Sequence, residues 1–200
     1  MEPINDSFAC DWLKNQGFTQ SKEFMTIVVN ELDELHKNKT IKIDKISTVL
    51  DWGCAMGSGT NKLQHYLTSI HTGLRELSVT GLDISWNAIN ACQQIFPDIE
   101  FICSDMIERN YDIVVTSNCL EHFEDPFPYM RYHIAHAHRL YVVLVPFNDK
   151  TDPGHVYQFT KESFPEELYG FIRRHIGVIP PCSVWNGEQL FVVYERKKNG

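Results

Sequence analysis

The chain is short of positive charge: 18 lysines and arginines stand against 26 aspartates and glutamates, for a formal net charge of -8. Affinity for nucleic-acid phosphates needs clustered cations, so no nucleic-acid partner is expected. The basic cluster Arg196-Lys197-Lys198 sits at the C-terminal end and reads as a solvated tail. No stretch approaches the ~20 apolar residues that span a bilayer, so no membrane span is expected. Glu2, Asp6 and Asp11 also break the basic-then-apolar pattern of a signal peptide. These absences predict a soluble, cytoplasmic protein. Cysteine is present without pattern: the six, at 10, 54, 92, 103, 119 and 182, form no C-x-x-C pair and no zinc spacing. Neither a disulfide framework nor a structural metal is expected, and the thiols read as reduced and core-proximal. His133 and His136, at i, i+3, lack companion thiolates or carboxylates and read as solvated helix surface.

What is there suits one globular domain: 200 residues, 43% of them hydrophobic, bury one substantial core and not two. Phe24, Ile27, Val28, Leu32 and Leu35 fall at helical spacing, predicting an amphipathic helix over residues 21–36 within an N-terminal helical cap, 1–44. From residue 45 to 200 the chain reads as the main unit. Short β-rich runs recur at Ser47–Asp51, Leu77–Asp83, Ile99–Asp105, Tyr111–Ser117 and Leu140–Pro146, separated by helix-compatible stretches. That alternation predicts an α/β fold with a parallel sheet. The unalternating runs Ile113-Val114-Val115 and Tyr141–Val145 suit strands covered on both faces. After Pro146 a helix is expected around Lys161–Tyr169, then two strands, Phe171–Val178 and Leu190–Glu195, paired antiparallel at one edge. The expected architecture is a Rossmann-like, mostly parallel, seven-stranded sheet with an antiparallel edge and helices on both faces.

Ligands of such sheets bind beyond the carboxyl ends of the strands, so those ends carry the functional question. The first runs into Asp51-Trp52-Gly53-Cys54-Ala55-Met56-Gly57-Ser58-Gly59, a glycine-rich turn that lets backbone approach a ligand. Its spacing departs from the G-x-G-x-x-G of dinucleotide enzymes, and the leading carboxylate suits a cationic ligand better than a pyrophosphate. The second strand ends at Asp83-Ile84-Ser85; Asp83 is placed to accept hydrogen bonds from ribose hydroxyls, or else to cap a helix, a task open to Ser85 too. Polar ends follow at Ser104-Asp105-Met106 and at Ser117-Asn118-Cys119-Leu120-Glu121-His122.

With these motifs in this order, the chain over about residues 45–195 resembles the class I S-adenosylmethionine-dependent methyltransferases. The resemblance implies that Asp51, Gly53, Cys54, Ala55, Gly57 and Gly59 wrap the methionine part of S-adenosyl-L-methionine. It implies Asp83 and Ile84 at the ribose, Asp105 with Met106 beside the adenine, and Asn118 at the amino-acid end. Leu120-Glu121-His122-Phe123-Glu124-Asp125-Pro126 is similar to an L-E-H-x-x-D-P signature of members that modify small molecules and glycans. In ubiquinone-type relatives an acid at the position of Asn118 joins the Glu and His around a metal; only Glu121 and His122 remain here, so no metal is expected. The Pro-Pro-aromatic motif of DNA amino-methylating enzymes is absent, and Cys182 reads as structural.

Methyl transfer from a sulfonium is an in-line displacement that needs alignment and, for a hydroxyl acceptor, removal of a proton. His122 and His155 are the candidate bases; each is equally readable as a packed, hydrogen-bonded residue. Two rivals stand beside a methyltransferase of small-molecule or glycan acceptors. One is a nicotinamide-dependent oxidoreductase, which would share the sheet and Asp83. The other is a catalytically silent methyltransferase-like domain in a larger, for example glycan-assembling, complex. Neither the acceptor nor the oligomeric state is legible.

Overall fold

The computed structural model describes residues 17–73 and 76–197; Cys10 lies outside them. Helix α1, Phe18–Lys37, extends the predicted helix by three residues at its start and one at its end, and buries Phe24, Met25, Val28, Val29, Leu32 and Leu35 along one stripe. His36 and Lys37 in its last turn suit the negative end of the helix dipole. The alternation that follows is β1 (Thr48–Trp52), α2 (Ser58–Ile70), β2 (Ser78–Asp83), α3 (Trp86–Ile95), β3 (Glu100–Cys103), β4 (Tyr111–Ser117), α4 (Phe127–His136) and β5 (Ala137–Pro146). Three further strands, β6 (Glu167–Leu168), β7 (Phe171–Ile179) and β8 (Gln189–Arg196), complete a sheet of order β3-β2-β1-β4-β5-β8-β7-β6. The first five pair in parallel and the last three antiparallel; the sequence predicts the parallel five and an antiparallel pair, β7 and β8, but not β6. Among the described residues the sheet has eight strands rather than seven.

The extra strand replaces an expected helix. Over Lys161–Tyr169 the chain forms only a 3-10 turn, Lys161–Ser163, and then β6. Pro165 interrupts helical hydrogen bonding and pushes the residue before it out of the α region. Tyr169 (φ 46) and Gly170 (φ 84) then form the two-residue loop of a β6–β7 hairpin, both left-handed as a primed turn requires.

The period-two strand pattern splits the core. Val49, Ile113, Val115, Val142 and Leu144 pack with α1 and α2 on one face; Leu50, Val114, Val143 and Val145 pack with Met130 and Ile134 of α4 on the other. That is why these strands read as unbroken apolar runs. The same geometry corrects the reading of α4 as a solvated face. His133 is fully buried, with Nδ1 3.1 Å from the Tyr141 hydroxyl and its ring 4.3 Å from that of Trp52. Burial lowers its pKa to about 3, so it is a neutral core residue. The basic C-terminal cluster is also partly tied down. Arg196 donates to the carbonyls of Ala137 (2.6 Å) and His138 (2.9 Å), and Lys197 pairs with Glu167 at 2.6 Å. Lys198 lies outside the described residues.

Strands β1 and β4 are neighbours whose following connections leave the sheet on opposite sides, toward β2 and toward β5. Such a switch point opens a crevice at the carboxyl ends of the strands.

Candidate functional site

A cavity of about 370 Å³ occupies that crevice. The β1 end supplies Asp51, Gly53 and Ala55; the β4 end supplies Ser117, Asn118, Glu121 and His122. Helix α1 covers one side with Phe24 and Met25, and Asp152, His155 and Trp185 close another. Among the described residues no lysine or arginine lines it.

The β1 turn is built by backbone constraints. Gly53 (φ 78) donates its N–H to Leu82 O at 2.8 Å, and Ala55 (φ 47) donates to Asp83 Oδ2 at 2.9 Å. A Cβ at Gly53 would lie 2.7 Å from Cys119 Sγ, so the glycine is needed where β1 and β4 diverge. Cys54 sits in a small core with Ile89, Cys92 and Phe101. A Cβ at Gly57 would strike Phe101 at 2.8 Å, and one at Gly59 would strike the Ser21 carbonyl at 2.9 Å. Cys54, Gly57 and Gly59 therefore shape the turn and seat α1 on α2; Asp51, Gly53 and Ala55 are the parts of this motif that line the cavity.

Asp51 is buried and accepts the Thr60 hydroxyl at 2.7 Å. Burial pushes its pKa from 3.8 to about 7, with the Thr60 bond opposing and Asp83 adding to the rise. Asp83 accepts N–H groups of Ala55 and Ser85, each at 2.9 Å, while Ser85 Oγ accepts Ala88 N at 3.2 Å and caps α3. Asp83 is therefore not the cap; burial raises its pKa and these backbone bonds oppose the rise. Ile84 (49% exposed) and Met106 (61%) follow the adjacent tips of β2 and β3, and Asp105 is exposed beside them. These three, with Asp83, stand outside the cavity lining. Trp86 stands 62% exposed at the start of α3.

After β4 the chain turns through Asn118 (φ 49), a cavity-lining residue whose N–H reaches Leu144 O at 2.8 Å, into a 3-10 turn, Leu120–His122. Glu121 is 1% exposed and, among the described residues, neither carboxylate oxygen has a hydrogen-bond partner. Burial, reinforced by Asp149 and Asp152, pushes its pKa up to about 8. The Glu121 carbonyl accepts the N–H groups of Val156 (2.9 Å) and Tyr157 (3.0 Å), which fastens the loop carrying His155 beside it. His155 Nδ1 lies 2.6 Å from Asp149 Oδ2, and its Nε2 3.9 Å from Glu121 Oε1. Burial tends to raise the pKa of Asp149, but bonds from Thr151 and His155 outweigh it and hold the carboxyl low. His122 Nδ1 meets Gly154 O at 2.8 Å; burial lowers the His122 pKa against that bond. The two imidazoles stand 5.2 Å apart, and one donor atom each from Glu121, His122 and His155 falls within 4.8 Å of the others. Sequence alone names His122 and His155 but places neither Glu121 in the pocket nor Asp149 and Trp185 near them; no local signal marks contacts that loop closure creates.

The sheet order and the helices around it make a Rossmann-like α/β fold shared with solved methyltransferase structures. Within the chain, residues 49–140 match the family described as methyltransferase domain. A protein of Invertebrate iridescent virus 6, named as methyltransferase 235L, is 32% identical over 95 residues, 46% of this chain. The match spans only 31% of that relative's length. Among solved structures, magnesium protoporphyrin IX methyltransferase of Synechocystis PCC 6803 with bound SAM is 18% identical, with a TM-score of 0.66 over 98% of this chain and 100% of that one. Plantazolicin methyltransferase BpumL in complex with SAH is 12% identical, with a TM-score of 0.65 over 96% of this chain and 95% of that one. A chain from the Haloferax volcanii complex of the Trm112 activator with a methyltransferase reaches 0.67 at 12% identity, over 98% of this chain and 100% of that one. No helix among the described residues is long and apolar enough to cross a membrane.

Proposed function

We propose that the chain binds S-adenosylmethionine at the β1/β4 crevice and transfers its methyl group in line to a small-molecule or glycan acceptor. The observation that carries this reading is the acidic lining of the cavity. Asp51, Glu121 and Asp152 line it and, among the described residues, no lysine or arginine does; carboxyl groups that ionise against an entering cation suit a ligand bearing a sulfonium and an ammonium and disfavour a pyrophosphate. In this reading Asp51, Gly53, Ala55 and Asn118 meet the amino-acid end, within a turn that Cys54, Gly57 and Gly59 shape. Asp83 takes the ribose hydroxyls, since a carboxylate has acceptor sites left after two backbone bonds. Ile84 stands beside Asp83 at the ribose, and Met106, with Asp105, flanks the adenine. The matched methyltransferase domain over residues 49–140, and neighbours solved with SAM or SAH, support the same ligand.

In the transfer an acceptor lone pair bonds the methyl carbon, the C–S bond breaks, and its electron pair stays on sulfur, leaving a neutral thioether. A hydroxyl acceptor must also lose its proton. His122 and His155 are the catalytic residues of this reading. Both Nδ1 atoms are engaged, so the Nε2 atoms are the basic positions open to the acceptor's proton or to an ion that activates it. The L-E-H-x-x-D-P segment, residues 120–126, is what favours small-molecule and glycan acceptors. The test is incubation with S-adenosylmethionine and a panel of sugars, quinols and small phenols, following S-adenosylhomocysteine release. Acceptor-dependent release is expected. Cofactor binding with no release across the panel would favour a catalytically silent domain.

A further inference from the structure

Glu121 poses a physical problem that hydrogen bonding within the protein does not solve. Its carboxyl is 1% exposed, and among the described residues neither oxygen has a hydrogen-bond partner and no lysine or arginine lines the cavity beside it. A buried polar group without a partner is costly, and a buried carboxylate requires a counter-charge or a proton. The groups turned toward it are imidazole nitrogens, and their tautomers are fixed from behind. Gly154 O can only accept, so His122 Nδ1 carries the hydrogen; the Asp149 carboxylate imposes the same on His155 Nδ1. In its neutral form each ring then keeps its lone pair at Nε2. A ring locked by a carbonyl or carboxylate on one nitrogen, with the other free, is how metal-ligating histidines are held.

We propose that Glu121, His122 and His155 form a divalent-cation site at the acceptor end of the cavity, with Asp149 and Gly154 O orienting the two imidazoles. The donor atoms lie within 4.8 Å of one another, and His155 Nε2 is 3.9 Å from Glu121 Oε1. Ligand bonds of about 2.1 Å place donors about 3–4 Å apart around an ion, so a small side-chain rotation closes the set. The backbone is already committed, because Glu121 O holds the Val156 and Tyr157 N–H groups and so fixes the His155 loop to the Glu121 turn. Two imidazoles and one carboxylate select zinc, manganese, cobalt or iron over magnesium, which prefers an all-oxygen shell. Three protein ligands leave open positions on the cavity side. This goes against the expectation of no metal, which counted donors within one segment; the third ligand comes from a loop 33 residues later. What the ion does rests on the methyl-transfer reading: an acceptor hydroxyl in an open position would lose its proton more readily. Binding of the ion itself does not rest on that reading.

The test uses chelator-treated, tag-free protein without S-adenosyl cofactor, titrated with Mn²⁺, Zn²⁺ and Mg²⁺ by calorimetry, and with Co²⁺ by visible absorption. One equivalent of Mn²⁺, Zn²⁺ or Co²⁺ is expected, with Mg²⁺ at least ~10-fold weaker. Glu121→Gln, isosteric and uncharged, should weaken Co²⁺ binding at least ~10-fold and change its visible bands. Asp149→Asn should weaken it ~10- to 100-fold through orientation of His155 alone. Thermal unfolding of both variants without metal reports whether they fold. Absence of stoichiometric binding to wild type, or equal affinity in folded Glu121→Gln, overturns the site. S-adenosylhomocysteine affinity, measured separately, tells that failure from failure of the cofactor reading.

Discussion

His155 is fixed by Asp149: Nδ1 and Oδ2 stand 2.6 Å apart, both side chains are about nine-tenths buried, and the other ring nitrogen lies 3.9 Å from Glu121 Oε1. The carboxylate decides which tautomer the ring presents. Asp149→Asn keeps an oxygen for the Thr151 turn and can present an amide N–H to Nδ1, moving the hydrogen to Nε2. Turnover should fall ~10- to 100-fold, as for loss of orienting partners elsewhere, while S-adenosylhomocysteine affinity stays within about twofold. Single-turnover kinetics beside calorimetry checks this; an equal fall in both would place His155 in cofactor binding instead.

Asp83 joins two tasks, since its carboxylate holds the N–H groups of Ala55 and Ser85 and is proposed to hold the ribose. Asp83→Ala should weaken S-adenosylhomocysteine binding roughly ten- to a hundredfold, from the ~1.5–3 kcal/mol of charge-assisted hydrogen bonds. It should also lower stability by ~1–2 kcal/mol as the two backbone donors lose their partner. Urea unfolding separates the effects; unchanged affinity in a destabilised variant would reduce Asp83 to a turn-holding role.

Gly53 is a structural requirement before it is a ligand contact. At φ 78, with Cys119 Sγ 2.7 Å from where a Cβ would go, Gly53→Val should destabilise the fold by ~2 kcal/mol or more. Gly53→Ala combined with Cys119→Ala should recover part of the loss of Gly53→Ala alone, because the clash is relieved and the backbone strain is not. Denaturant midpoints test this, and full stability in Gly53→Val would contradict it.

The raised pKa of Asp51 makes stability of the unliganded protein depend on pH. Its folded value of about 7 exceeds the ordinary 3.8, so the folded state holds the proton more tightly. That stabilisation is full below about pH 4 and is lost as pH rises through about 7. Asp51→Asn keeps an acceptor for Thr60 and should flatten the curve in this window, gaining on the order of a few kcal/mol over wild type near pH 8. Parallel unfolding curves at pH 5 and 8 measure it; identical pH dependence in the variant would contradict the assignment.

The parallel sheet was legible because short β-rich runs alternate with helix-compatible stretches and the first four run into polar residues, and the Ser85 cap because it precedes a helical stretch. The β6–β7 hairpin is signalled by Pro165 and Tyr169-Gly170, which a helix over residues 161–169 does not accommodate. His133 looked like surface because its hydrogen-bond partner, Tyr141, is set by packing of α4 on β5. The acidic end of the cavity was least legible. Glu121, Asp149 and His155 are brought together by two backbone bonds from Val156 and Tyr157 to Glu121 O. Trp185, 5.3 Å from His155, arrives from the β7–β8 connection.

The central claim is that the crevice between β1 and β4 takes an S-adenosyl ligand. Calorimetric titration of the chain with S-adenosylhomocysteine and, in parallel, with NAD tests it most directly. The account predicts one equivalent of S-adenosylhomocysteine, affinity lost roughly ten- to a hundredfold in Asp83→Ala, and no measurable NAD binding. Tight NAD binding with no affinity for the sulfur ligand would contradict it.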